Sequence, residues 1–158
     1  MILVAGLTPA WQQIVVLDRL QVGEVNRARD VHWCASGKVL NVGLALTQLG
    51  ADSRTLSLVG SGSSGDAIQA EFALMGVKAQ WIESSSPQRT CTTLLDSSAG
   101  QTTEIVENSP GATAEELQRF VDAFAQGADV AECDLCVDRK STRLNSSHVS
   151  ESRMPSSA

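Results

Sequence analysis

Chemistry is densest between Ala35 and Asn41, where Ala35-Ser36-Gly37 runs straight into Lys38-Val39-Leu40-Asn41. A glycine lets backbone pass close to a ligand, and the free N–H groups at a helix start attract anions. Lys38 adds a full positive charge and Asn41 a two-sided hydrogen-bonding amide. These residue types in this order describe a pocket for a polar small molecule with an anionic part. An ordinary strand-to-helix turn fits the same spacing, so on the pattern alone both readings stand.

The elements that must hold this turn are legible around it. Val39, Val42, Leu46 and Leu49 recur at helical spacing, Leu40 and Leu44 widen the stripe, and Gly50 is placed to cap the helix. Before it, residues 1–7 form an apolar strand ending at Thr8-Pro9. Gln13 to Leu17 reads as a second strand, Val22-Gly23-Glu24 as a turn, and residues 27–34 alternate loosely. After it come a strand at Ser53 to Val59, a helix carrying Ile68, Phe72 and Met75 up to Gly76, and a strand at Val77 to Ile82. Cys91 to Asp96 and Thr102 to Val106 flank Ser97-Ser98-Ala99-Gly100 as a hairpin. Thr113-x-x-Glu116 is a capping box for a helix bearing Leu117, Phe120, Val121 and Phe124 and closed by Gly127. Leu135-Cys136-Val137 begins a further core strand. Strand and helix alternate through most of the chain, which predicts an α/β layered fold. The strand-rich stretches 10–34 and 88–108 break that alternation and are expected to form a separate small sheet over the pocket.

Composition narrows the function classes. The 158 residues are 42% hydrophobic and 19% charged, as a soluble globular domain is. A net charge of −6 argues against broad nucleic-acid binding, which needs clustered Lys and Arg. No apolar run reaches the length of a membrane span and no secretory leader is visible, so neither nucleic acid nor membrane is an expected partner. Cys34, Cys91, Cys133 and Cys136 include one C-x-x-C pair without a second, so a zinc site is not expected, and a reducing, cytoplasmic setting fits. Glu104 and Glu107 lie three apart on a strand, hence on opposite faces, which suits solvated positions better than acid–base work. From Asp138 onward, serine crowds into a basic segment without apolar periodicity, and residues 138–158 are expected to be a disordered, non-native tail. The run Asp138-Arg139-Lys140-Ser141-Thr142-Arg143-Leu144-Asn145-Ser146-Ser147-His148 resembles a translated sequencing-adaptor read-through, so His148 is given no catalytic role.

Four stretches of residues 1–137 resemble the PfkB (ribokinase-like) carbohydrate kinases, in the 1-phosphofructokinase and tagatose-6-phosphate kinase branch. Thr8-Pro9-Ala10-Trp11-Gln12 is similar to an Asn-Pro-Ala-x-Asp segment, and Gly23-Glu24-Val25-Asn26-Arg27 matches Gly-Glu-Val-Asn-Arg. Ala35-Ser36-Gly37-Lys38-x-x-Asn41-Val42 resembles Gly-Gly-Lys-Gly-x-Asn-Val. Arg89-Thr90-Cys91 followed by Thr103-Glu104-Ile105 resembles the lid segment. The resemblance implies the N-terminal part of a ribokinase-like three-layer fold with a small β-sheet lid. It implies substrate contacts from Gln12, Ser36, Gly37 and Asn41, with Arg27, Lys38 and Arg89 around the substrate and its phosphate. ATP and Mg2+ would serve the intact enzyme, with neither bound by these residues alone. A lid would exclude water from the phosphoryl donor, and a homodimer through the lid sheet is an assembly this arrangement allows. The sequence departs from the family at Gln12, where an Asp is usual, and at Ser36 and Val39, where glycines are. It also has no Gly-x-Gly-Asp segment, which in the family supplies the catalytic base and the donor site. The chain therefore reads as a fragment without a catalytic residue or a metal ligand of its own.

Two other readings fit parts of the sequence. Gly60-x-Gly62-x-x-Gly65 follows a strand and precedes a helix, with Glu83 after the next strand, as in an NAD-binding Rossmann unit. A non-catalytic sugar-binding α/β domain would use the same core without transferring anything.

Overall fold

The computed structural model describes residues 1–109, 111–129 and 135–138. In chain order the elements are β1 (Ile2–Gly6), β2 (Ala10–Leu17), β3 (Asp30–Ser36), α1 (Lys38–Gln48), β4 (Ser53–Ser61), α2 (Ser63–Leu74), β5 (Ala79–Pro87), β6 (Thr90–Asp96), β7 (Gln101–Val106), α3 (Ala114–Asp129) and β8 (Leu135–Asp138). They form two four-stranded sheets, ordered β5-β4-β1-β8 and β3-β2-β6-β7. The expected tail lies outside the described residues except for Asp138.

The first sheet is parallel throughout, with Ile2 opposite Ser53 on β4 and opposite Leu135 on β8. Parallel strands need their faces covered, and here helices cover both. Val4 of β1 points into a cluster with Val39 and Leu40 of α1 and Ile68 and Phe72 of α2. Its neighbours Leu3 and Ala5 point the other way, into a cluster with Leu56 and Ala123 against which Phe120 and Phe124 of α3 pack. The period-two alternation of β1 thus feeds two cores, and the result is three layers. Phe72 is 1% exposed and meets Trp81 edge-on at 5.5 Å. Burying a side chain of that size contributes about 1.5–3 kcal/mol.

The helix ends largely follow the sequence. After α1, Ala51 N–H reaches Leu46 O at 3.0 Å and Gly50 N–H reaches Thr47 O at 3.0 Å; the same pair of bonds closes α2 through Val77 and Gly76. Leu49 and Met75 prove to be cap residues facing solvent, not members of the apolar stripes. The third helix differs from expectation: α3 runs through Gly127 to Asp129. Gly127 is buried and a side chain there would press on Leu3 at 3.2 Å, so this glycine serves close helix–sheet approach instead of a helix stop.

The small sheet joins the two stretches that broke the alternation. Strand β2 pairs antiparallel with β3 (Ala10 opposite Ser36, Val16 opposite Asp30) and parallel with β6 (Gln12 opposite Cys91). The hairpin β6–β7 sets Thr93 opposite Glu104 and Cys91 opposite Val106. Only one end of this sheet enters the core. Trp11 and Ala35 pack on the α1–α2 cluster, and Ala35 N–H donates to Glu71 Oε2 of α2 at 2.6 Å. Every residue of β7 is exposed.

Candidate functional site

The C-terminal end of β1, the start of β2, the β3–α1 turn and the start of β6 meet around a cavity of about 260 Å³. Gln12, Ser36, Gly37, Lys38, Asn41 and Arg89 line it, six of the seven side chains expected from the sequence. Gly37 makes the turn work. Its φ of 116° is in the region open mainly to glycine, and a side chain there would meet Pro9 Cα and Thr8 O at 3.1 Å. The β1–β2 connection therefore lies directly on the helix start, and Asn41 N–H donates to Gly37 O at 2.9 Å as the first turn forms.

The two cations of the cavity are held differently. Arg89 donates from Nε to Pro9 O at 3.0 Å, and from its two terminal nitrogens to Thr8 O at 3.0 Å and Glu107 O at 3.3 Å. Three of its five N–H donors are thus spent on backbone carbonyls, and the guanidinium clamps the β1–β2 connection to the end of β7. Lys38 is exposed, and among the described residues no hydrogen bond or ion pair holds its ammonium. Gln12 donates from Nε2 to Thr93 Oγ1 at 2.6 Å, which leaves its carbonyl oxygen for a ligand.

Arg27 does not join this cavity. It follows Asn26, whose side chain ties the β2–β3 connection through Gln21 N–H at 2.8 Å, Gln21 O at 2.7 Å and Glu24 O at 3.0 Å. That connection caps the Val16–Asp30 end of the hairpin, whereas the cavity lies at the Ala10–Ser36 end. Six residues of strand separate the two ends, about 20 Å. The extended strand β3 runs between Arg27 and Lys38 and carries the two apart within this chain.

Other lining residues carried no site role in the sequence reading, although Cys91 and Glu104 belong to the stretches that resemble the lid segment. Glu104 and Val106 of β7 and Cys91 of β6 face the cavity. Glu104 is exposed, as expected of a solvated carboxylate, and it also lines the cavity, while Glu107, just past the end of β7, accepts from Thr90 N–H through Oε2 at 2.7 Å. The signal lay in strand pairing across three strands, Gln12 to Cys91 to Val106, which no local pattern displays. Gln88 is 8% exposed and holds the cavity wall from behind. Its Oε1 accepts from Gly60 N–H at 2.8 Å and its Nε2 donates to Pro9 O at 2.9 Å.

Gln88 also explains the glycine-rich loop. A side chain on Gly60 would collide with the Gln88 backbone, and one on Gly65 with Gly60 O. These glycines allow chain to pass chain within the fold, and the Gln88 backbone already occupies the approach that a pyrophosphate would need at Gly60. The NAD reading is not favoured.

Electrostatics nearby are structural. Burial pushes the Cys34 thiol up, with Glu71 adding to the effect, so it stays neutral. Glu116, 3% exposed, accepts from Ser85 N–H at 2.8 Å and Thr113 N–H at 2.9 Å, which hold its carboxyl down at about 2. Thr113 Oγ1 returns the bond to Glu116 N–H at 3.1 Å, completing the capping box read from the sequence. Among the described residues no three His, Cys, Asp or Glu side chains converge as a metal set.

The family model for pfkB family carbohydrate kinases matches residues 2–152, running past Val137 into the basic segment. The chain belongs to that family. A 1-phosphofructokinase of Xanthomonas campestris pv. campestris is 35% identical over 105 residues, which are 66% of this chain and 32% of that protein. Among solved structures, a possible 1-phosphofructokinase of Thermotoga maritima superposes with a TM-score of 0.77 at 20% identity, over 85% of this chain and 43% of that one. The phosphofructokinase-2 of Escherichia coli in complex with fructose-6-phosphate gives 0.74 at 16% identity, over 79% and 41%. Such likenesses establish a ribokinase-like fold for this pfkB chain. The chain spans about a third to two fifths of the length of these relatives.

Proposed function

We propose that the cavity is the acceptor side of a sugar-phosphate kinase and takes a phosphorylated hexose such as fructose 1-phosphate or tagatose 6-phosphate. The observation that carries this is the meeting of Lys38, Arg89, Gln12, Ser36, Asn41 and the Gly37 turn around one cavity. Lys38 supplies the mobile charge for the phosphate. Arg89, which lines the same cavity, has two N–H donors left while fixing its walls. Amide and hydroxyl groups of Asn41, Gln12 and Ser36 suit sugar hydroxyls. The names of the relatives, phosphofructokinases of two kinds, point to the same substrate class. The small sheet is read as the lid over the sugar. Exposed Trp33 and Val31 at the β3 edge support reading it also as a surface for a homodimer.

Transfer needs more than acceptor binding. The sequence carries no Gly-x-Gly-Asp segment, so no transfer step is derived from these residues. Without a base the sugar hydroxyl keeps its proton, a loss of about 10²–10⁴ in rate. The 158-residue chain is therefore read as a sugar-phosphate binder that does not turn over.

Calorimetry with fructose 1-phosphate tests the binding, and ADP release in the presence of ATP and Mg2+ tests the inactivity. Lys38→Ala should weaken binding by about 1–3 kcal/mol, the scale of a charged hydrogen bond, without moving the thermal midpoint. Equal affinity in parent and variant would sink the assignment. ADP release that disappears in Lys38→Ala would overturn the inactivity.

A further inference from the structure

We infer that Glu104 selects which end of the sugar phosphate enters which end of the cavity, by accepting hydrogen bonds from the hydroxyl-bearing, uncharged end. The inference rests on the sugar-phosphate reading above and extends it to orientation and specificity. Glu104 is the one carboxylate among the described residues that line the cavity. Among the described residues, no hydrogen bond or ion pair engages it. Its place at the cavity is fixed by the ladder, which sets it opposite Thr93, the residue that binds the Gln12 amide at 2.6 Å. Glu104 and the Gln12–Thr93 pair thus form one polar patch on the underside of the small sheet.

Charge decides what such a patch can face. The guanidinium of Arg89 donates to Glu107 O, just past the end of β7 and three residues, about 10 Å of extended backbone, from Glu104. Lys38 stands at the helix start on the floor of the cavity. A phosphate dianion drawn to Lys38 and Arg89 would be repelled by Glu104, so the carboxylate can meet only the part of the ligand that carries hydroxyls. A carboxylate accepts from two hydroxyls at once, and its bonds are charge-assisted. The same charge works against a ligand with an anionic group at both ends. The cavity is in this way polarised along the small sheet, cationic at the end fastened to the core and anionic farther out.

Titration calorimetry on the full 158-residue chain tests this, with fructose 1-phosphate, fructose 1,6-bisphosphate and inorganic phosphate as probes. Glu104→Gln, on an exposed strand, should keep the parent thermal midpoint. It should lose about 10-fold in affinity for fructose 1-phosphate while inorganic phosphate changes less than about twofold. Discrimination against the bisphosphate should shrink in the same variant, an effect that a merely structural residue would not produce. If Glu104→Gln binds all three probes as the parent does, the orientation role is wrong while the sugar-phosphate reading stands. A uniform loss for all three would also overturn it, as would no change in the preference between mono- and bisphosphate. If the parent binds no sugar phosphate, both the reading and this inference fail together.

Discussion

The two sheets of this chain are held by different physics. In the parallel sheet, Leu3, Val4, Leu56 and Val59 are at most 1% exposed, and helices seal both faces. In the small sheet, β7 is exposed throughout, and polar bonds do much of the fastening: Gln12 to Thr93, Arg29 to Asp18 at 3.1 Å, and Asp96 to Leu20 N–H at 2.9 Å. One sheet is positioned by volume and the other by donors and acceptors. The cavity lies where they join, so its floor is set by apolar packing and its roof by polar contacts.

Substitutions can break or sharpen this contrast. Phe72→Ala should cost about 3–5 kcal/mol in denaturant unfolding, because the cavity it leaves sits in the sealed layer. A cost below about 1 kcal/mol would mean that the parallel sheet is no better packed than the small one. Thr55→Val should act in the opposite direction. Thr55 Oγ1 is buried without a hydrogen-bond partner, beneath the close approach of Gly43 on α1. Replacing the hydroxyl with a methyl should raise stability by about 1–2 kcal/mol, read as a higher denaturation midpoint. Thr113→Ala removes the cap of α3 and should cost about 1 kcal/mol.

Acid separates the regions too. Asp96 in the small sheet and Glu116 under the parallel sheet are both held down at about 2 by hydrogen bonds, led by Leu20 N–H for one and Ser85 N–H for the other. Their folded values lie below the ordinary ones, so their stabilisation is complete above about pH 5 and drains away as pH falls toward 2. Thermal midpoints across that range should flatten in Glu116→Gln relative to the parent; an unchanged slope would remove Glu116 from the account. The smallest effect belongs to Ile105→Thr on β7, expected within about 0.5 kcal/mol because the residue is 58% exposed. A larger loss that grows with protein concentration would show the small sheet to be covered by a second copy.

Legibility followed the same division. The parallel sheet and its helices were readable because their apolar residues repeat locally, at two or at about four residues. Leu3, Val4 and Ala5 announce a strand buried on both faces, and Thr113-x-x-Glu116 announces a helix start. The turn at Gly37, Lys38 and Asn41 was readable because its chemistry is contiguous. The place of Glu104 at the cavity was not, because it depends on the pairing of β2 with β6, whose members are about eighty residues apart. The placement of Arg27 was hidden for the converse reason: a motif near the cavity in sequence sits at the far tip of a hairpin. Gly60 and Gly65 imitated a nucleotide loop because close passage of chain over chain makes the same demand on a residue whichever chain is passing.

The crossing of Gly37 over Pro9 and of Gln88 over Gly60 has a mechanical side. Were the small sheet to tilt as one body, this crossing would be the fulcrum, with a short arm at the cavity and a long arm along the sheet. A tilt of about 10° about that crossing would shift the Arg27 tip, about 20 Å out, by about 3–4 Å, while Gly37 and Ser36 would hardly stir. Small rotations at the cavity would thus become large excursions at the tip, and any grip on the tip would be transmitted inward with force multiplied.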